Sequence, residues 1–172
     1  MRQNRLHGIS KDAWNRYTEK GRWYYEVVDN GYKYNMTDGA ASLGLVQLTR
    51  LHDMHQKRCR IAQRYQAAFE SVSWIDTLQP DVSVSSAWHL FVIKVPHRDA
   101  LMAALGDAGI GTSLHFIPVH HHPYYHDAYG YAMADYPVAN RVYEQSISLP
   151  IYPDMTDNQV QYVIDAVLAH AP

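Results

Sequence analysis

A helical pattern of roughly thirty residues, from Thr37 to about Ser71, constrains this chain more than any other feature. Thr37-Asp38 opens it, because a Thr side chain can accept a first-turn N–H and an acidic charge suits the positive end of the helix dipole. An apolar stripe runs from Ala41 through Leu45, Leu48 and Leu51 to Ile61 and Phe69. Arg50, Lys57, Arg58, Arg60 and Arg64 stand between as the solvated face. At 1.5 Å per residue the pattern extends ~45 Å, more than a globule of 172 residues ordinarily spans. The spacing predicts a helix that bridges two structural units.

The segment before this helix is crowded with rings. Trp14, Tyr17, Trp23, Tyr24, Tyr25, Tyr32 and Tyr34 fall there, interleaved with polar groups and with Gly21 and Gly31. It has no period-3.6 stripe and too few aliphatic residues to build its own core, so another surface must cover its rings, either the rest of the chain or a partner. After the helix, a Ser/Asp/Pro-rich linker from Gln79 to Ser86 leads to a strand pattern at Trp88–Val95 that Pro96 ends. Arg98–Leu105 reads as a short helix closed by Gly106 and Gly109, and Ile110–Phe116 as a second strand. Residues 120–136 read as a His/Tyr-rich loop, Val138–Ile147 as a short helix, and Ser148-Leu149-Pro150 as the approach to a turn at 152–154. In the last helix, Thr156 and Gln159 form a capping box, and Val160, Val163, Ile164, Val167 and Leu168 share one face. The expected division is an aromatic arm at 1–36, a bridging helix at 37–71 and a small α/β domain at 72–172, with helices on one face of a short sheet.

Composition narrows the function classes. With 47% hydrophobic and 19% charged residues the chain can bury a core. A net charge of −2 argues against a broad nucleic-acid footprint. No run approaches the ~18 apolar residues of a membrane span, and the polar start resembles no signal peptide. The lone Cys59 fits a cytoplasmic location and excludes an internal disulfide.

His115, His120, His121, His122 and His126 cluster in a way that invites metal or proton chemistry. Their spacing matches no HExxH helix and no Cys or Glu completes a ligand set, so a polar loop lining a cleft is the expectation and a metal site is not. No GxSxG elbow is present, and Gly109-Ile110-Gly111-Thr112 enters a strand where a dinucleotide fingerprint would leave one.

Longer phrases carry more. Gly31-Tyr32-Lys33-Tyr34-Asn35-Met36-Thr37-Asp38 precedes an Ala-Ser-Leu-Gly-Leu-Val-Gln-Leu helix. Then come Ser86-Ala87-Trp88-His89-Leu90-Phe91, Gly109 to Phe116 as Gly-Ile-Gly-Thr-Ser-Leu-His-Phe, Pro118-Val119-His120 and Pro123-Tyr124-Tyr125. Ser148-Leu149-Pro150 and a Pro-Asp-Met-Thr-Asp helix start close the series. In this order the motifs resemble the DegT/StrS-type nucleotide-sugar aminotransferases over nearly the whole chain. Among these, the resemblance is strongest to enzymes of UDP-linked 4-keto sugars such as the 4-amino-4-deoxyarabinose aminotransferase.

The resemblance implies an α/β fold, the C-terminal part of an aspartate-aminotransferase-like (fold type I) enzyme. It also implies pyridoxal 5'-phosphate as cofactor, a homodimer, and transfer of an amino group from glutamate, which leaves as 2-oxoglutarate, to a nucleotide-linked keto sugar for polysaccharide or lipopolysaccharide synthesis. In such enzymes a lysine forms the Schiff base with the cofactor, and an Asp partners its ring nitrogen. Both belong to the half upstream of the Leu6-His7-Gly8 phrase, and none of Lys11, Lys20, Lys33, Lys57 and Lys94 stands in a matching motif. The chain alone is therefore expected to be inactive, with no catalytic residue of its own.

By the same resemblance, Lys33 and Asn35 match positions that reach the cofactor phosphate of the other subunit, and an ammonium and an amide suit that anion. Read without it, Asn35 holds a turn ahead of the Thr37 cap. His115 and His120 match the family's loop near the sugar-nucleotide site, whereas His121, His122 and His126 read as solvated. Relatives usually carry Ile-Gln after Thr-Asp, and here Gly39-Ala40 removes a Gln side chain from an interface contact. The alternative reading is a non-catalytic interaction module, in which the arm and long helix dock on a partner subunit.

Overall fold

The computed structural model describes residue 1 and residues 3–10, 25–81 and 83–171. Trp14, Tyr17, Trp23 and Tyr24 of the expected aromatic arm lie outside the described residues. The chain forms two compact units, Met1–Arg50 and Leu51–Pro172. Helix α1, Asp38–Phe69, carries residues of both. Its 32 residues match the sequence pattern, and Thr37 Oγ1 accepts the Ala40 N–H at 3.3 Å as the cap.

In the first unit a turn-rich segment at residues 3–9 pairs with residues 26–34. Leu6 pairs with Lys33 and Ile9 with Val27, both antiparallel. The His7 N–H donates to Tyr32 O at 2.9 Å, Tyr34 N–H to Arg5 O at 2.8 Å, and Val28 N–H to Gly8 O at 2.8 Å. The segments approach so closely that a Cβ on Gly8 would lie 1.8 Å from Asp29 O, and one on Gly31 2.0 Å from Gly8 N. Gly8 also sits at φ +67°, a left-handed conformation that a Cβ disfavours.

The second unit holds the core. Strands β1 (Asp76–Thr77), β2 (Phe91–Lys94) and β3 (Ser146–Leu149) form an antiparallel sheet in that order. Phe91 is opposite Leu149 and Ile93 opposite Ile147, so all four side chains share one face. They join Ile61, Tyr65 and Phe69 of α1, Leu101 and Leu105 of α2 (Arg98–Asp107), and Val160, Val163, Ile164 and Val167 of the C-terminal helix Asp157–Leu168 in one buried cluster. Each fully buried aliphatic or aromatic side chain here contributes about 1.5–3 kcal/mol. The C-terminal helix begins as its sequence predicts, with Thr156 Oγ1 accepting the Gln159 N–H at 3.2 Å and Gln159 Oε1 accepting the Thr156 N–H at 2.8 Å.

Six details differ from the sequence pattern. The strand expected from Trp88 starts at Phe91, because Trp88 takes φ 46° and turns the chain. The strand expected at Ile110–Phe116 contributes one bridge, Ser113 to Ser148. Residues 146–149, read as helix end and turn approach, are a strand because they pair with β2. The expected loop at 120–136 contains a 3-10 turn at Val119–His121, helix α3 at Pro123–Tyr129 and a second 3-10 turn at Met133–Asp135, followed by α4 at Pro137–Gln145. The apolar stripe of α1 is buried only in its C-terminal half, and Leu43, Leu45, Leu48 and Leu51 are exposed. Leu168 is likewise partly exposed at the end of the last helix, which we number α5.

Candidate functional site

Lys33 and Asn35 belong to the first unit. Pairing of Lys33 with Leu6 holds the segment extended, and the rings of Tyr32 and Tyr34 stack at 5.1 Å on one side of it. Alternation along an extended segment puts Lys33 on the other side. Both Lys33 and Asn35 are exposed, and among the described residues neither side chain makes an ion pair or hydrogen bond. An unpaired ammonium beside an unpaired amide has the chemistry to hold a phosphate, so these two residues fit the cofactor group the resemblance implies. Lys57 and Lys94 are ion-paired with Asp53 and Asp76.

The histidines belong to the second unit, where His115 meets β3 and His120 and His121 meet α4. Ser148 faces away from the core cluster, opposite Val92 on one side and bridged to Ser113 on the other. Its hydroxyl lies 2.8 Å from His115 Nδ1. This bond pins the exposed His115 ring at a cavity of 270 Å³, lined also by Phe116, Pro118, Val142 and Tyr143.

His120 is buried, only 8% exposed, and its Nε2 lies 2.6 Å from Asn140 Oδ1. His121 shares that oxygen, with Nε2 at 2.7 Å. The His120 ring packs on Tyr136 at 4.5 Å, and the His121 ring meets Tyr143 edge-on at 5.1 Å. Tyr143 in turn lies under the guanidinium of the buried Arg98, 5.1 Å from its ring centre. His121 is thus part of the ordered group, in contrast to its expected solvation. His122 is exposed ahead of α3, and the exposed His126 pairs with Asp127.

Asn140, Ser148, Tyr136 and Tyr143 were not legible as site residues. They lie 16 to 33 residues from the histidines they hold, and nothing in their local sequence pairs them with those histidines. Among the described residues no group of three or more His, Cys, Asp or Glu is placed to hold a metal ion. No helix of the described residues is long and apolar enough to cross a membrane.

The chain is α/β with a small antiparallel sheet, and solved structures similar to it are fold type I aminotransferases. Spr1654 of Streptococcus pneumoniae, solved in its PMP form, is similar over 96% of this chain and 42% of its own, with 35% identity and a TM-score of 0.79. DesV of S. venezuelae, solved in complex with a ketimine intermediate, is similar over 99% of this chain and 43% of its own, with 26% identity and a TM-score of 0.80.

Residues 1–168 match the DegT/DnrJ/EryC1/StrS aminotransferase family, and the chain belongs to that family. Its relatives include the spore coat polysaccharide biosynthesis protein SpsC of Bacillus subtilis (strain 168), 50% identical over 169 residues that make up 94% of this chain and 43% of SpsC. The chain spans less than half the length of the relatives it matches.

Proposed function

We propose that this chain carries the small-domain and phosphate-contacting part of a pyridoxal-phosphate-dependent aminotransferase of nucleotide-linked keto sugars. The amino donor is glutamate, and the acceptor is a UDP-linked 4-keto sugar destined for polysaccharide synthesis. The observation that carries this reading is the family match over residues 1–168, which takes in Lys33, Asn35, His115 and His120 together.

Pyridoxal phosphate, when bound, supplies an electron sink for cleavage at the amino-bearing carbon. Lys33 and Asn35 bind its phosphate across the interface of a cytoplasmic homodimer. His115 and His120 contact the sugar nucleotide, each oriented by its partner, Ser148 or Asn140. The lysine that holds the cofactor is supplied by the rest of the enzyme, since none of Lys11, Lys20, Lys33, Lys57 and Lys94 stands in a motif like the family's lysine segment. The exposed Leu43, Leu45 and Leu48 of α1, with the exposed Tyr32, Tyr34 and Met36, support a subunit interface on the first unit.

The test is a chimera in which this chain replaces the matching 42% of Spr1654. The expected result is 2-oxoglutarate release from glutamate when a UDP-4-keto sugar is supplied, with weaker cofactor retention on Lys33→Ala. A chimera that releases one equivalent of 2-oxoglutarate but does not turn over further with any UDP-4-keto sugar overturns the substrate assignment. Unchanged cofactor affinity in Lys33→Ala and Asn35→Ala overturns the phosphate assignment.

A further inference from the structure

Asn140 presents one oxygen to two imidazoles, and its own orientation is fixed. Asn140 Nδ2 donates to Met133 O at 2.6 Å, so Oδ1 is the amide atom that faces the rings. Turning the amide over would set two carbonyl oxygens against each other and lose that bond. An amide oxygen only accepts. His120 Nε2, 2.6 Å away, and His121 Nε2, 2.7 Å away, must therefore both carry hydrogen.

We propose that Asn140 is a positioning residue that locks both His120 and His121 in the Nε2–H tautomer, making their two Nδ1 atoms hydrogen-bond acceptors for the hydroxyl groups of a sugar. Among the described residues neither Nδ1 has a hydrogen-bond partner, and neither is a buried orphan atom. The two ring centres are 4.6 Å apart at 74°, so the two imidazoles are direct neighbours. The packing of His120 on Tyr136 and of His121 on Tyr143 keeps the rings from rotating out of register. A neutral imidazole lone pair takes a hydroxyl or N–H donor and repels a phosphate oxygen. In the neutral rings the two lone pairs thus suit the hydroxyl groups of the sugar end of a nucleotide sugar. This ligand assignment rests on the aminotransferase reading above, whereas the tautomer lock stands without it.

Long-range proton–nitrogen NMR of the full chain at neutral pH reads the tautomers directly. The expected result is a protonated Nε2 and an unprotonated Nδ1 on both rings. Either ring with hydrogen on Nδ1 alone overturns the lock, and no variant is needed for that reading. Asn140→Leu, with its fold checked by circular dichroism, is expected to mix the tautomers, and an unchanged pattern in the folded variant also overturns the lock. UDP-glucose and UDP are then added separately. Displacement of both Nδ1 signals by UDP-glucose but not by UDP supports the hydroxyl assignment. Equal displacement by both, or by neither, overturns that assignment while the tautomer result stands. Loss of 2-oxoglutarate release in the chimera with both tautomers intact would sink the aminotransferase reading and the ligand assignment that rests on it, and leave the tautomer lock standing.

Discussion

The Tyr65 hydroxyl donates a 2.9 Å hydrogen bond to the carbonyl of Pro150, tying the buried half of α1 to the segment that leaves β3. The ring itself is fully buried, packed at 5.0 Å against Phe91 of β2. Tyr65→Phe keeps that packing and orphans the carbonyl, so stability in a urea titration is expected to fall by about 1–3 kcal/mol. Burial holds the phenol well above its ordinary 10.0, with the Arg64 charge opposing and Tyr152 adding a smaller upward push. The unfolded chain releases this proton first as pH rises. The stability Tyr65 contributes is therefore full below pH 10 and falls progressively above it. Tyr65→Phe is expected to flatten that alkaline loss, and an equal loss in both proteins would contradict it.

Gly39 stands in the first turn of α1, and a Cβ built there meets nothing within 4 Å. Gly39→Ala is expected to stabilise the chain by up to ~1 kcal/mol through helix propensity and reduced freedom of the unfolded chain. Thermal unfolding followed at the helical circular-dichroism band measures it. A decrease in midpoint would mean that the open space at this position has a role in the free chain.

Gly8 is the opposite case. Its Cβ would overlap Asp29 O, at a positive φ, so Gly8→Ala is expected to separate the two paired segments that present Lys33 and Asn35. The Val28 and His7 amides, bonded to Gly8 O and Tyr32 O, report this as faster hydrogen exchange. The core of the second unit, Phe91 and Ile93 among it, should exchange as before.

Ser148 is 5% exposed and its backbone is already committed to the sheet, so its hydroxyl is the free element that orients His115. Ser148→Ala in the chimera is expected to raise KM for the sugar nucleotide about 2- to 12-fold, the equivalent of one hydrogen bond of ~0.5–1.5 kcal/mol. Cofactor retention is expected to stay unchanged. Initial rates against sugar-nucleotide concentration check the first, and absorbance of the bound cofactor the second.

Elements with a one-dimensional signature were legible in advance. The 3.6-residue stripe and Thr37 cap located α1, and the Thr156–Gln159 box located the start of α5. Elements defined by pairing were not. Ser-Ile-Ser-Leu at 146–149 is too short and too polar to declare itself a strand, and becomes one because Phe91 and Ile93 align opposite Leu149 and Ile147. Ile110–Phe116, β-branched and apolar in part, has the better strand sequence yet makes one bridge, as its chain bends to bring His115 onto Ser148.

The same division holds for the site. Ordered motifs in the sequence determined the family and singled out Lys33, Asn35, His115 and His120, because residue type and order are properties of the chain itself. The tertiary structure decided which histidines form one group, drew His121 in beside His120, and supplied Asn140 and Ser148 as their partners. A hydrogen bond between side chains 19 or 33 positions apart leaves no periodic trace in a sequence, since it depends on where β3 and α4 come to rest rather than on any local propensity.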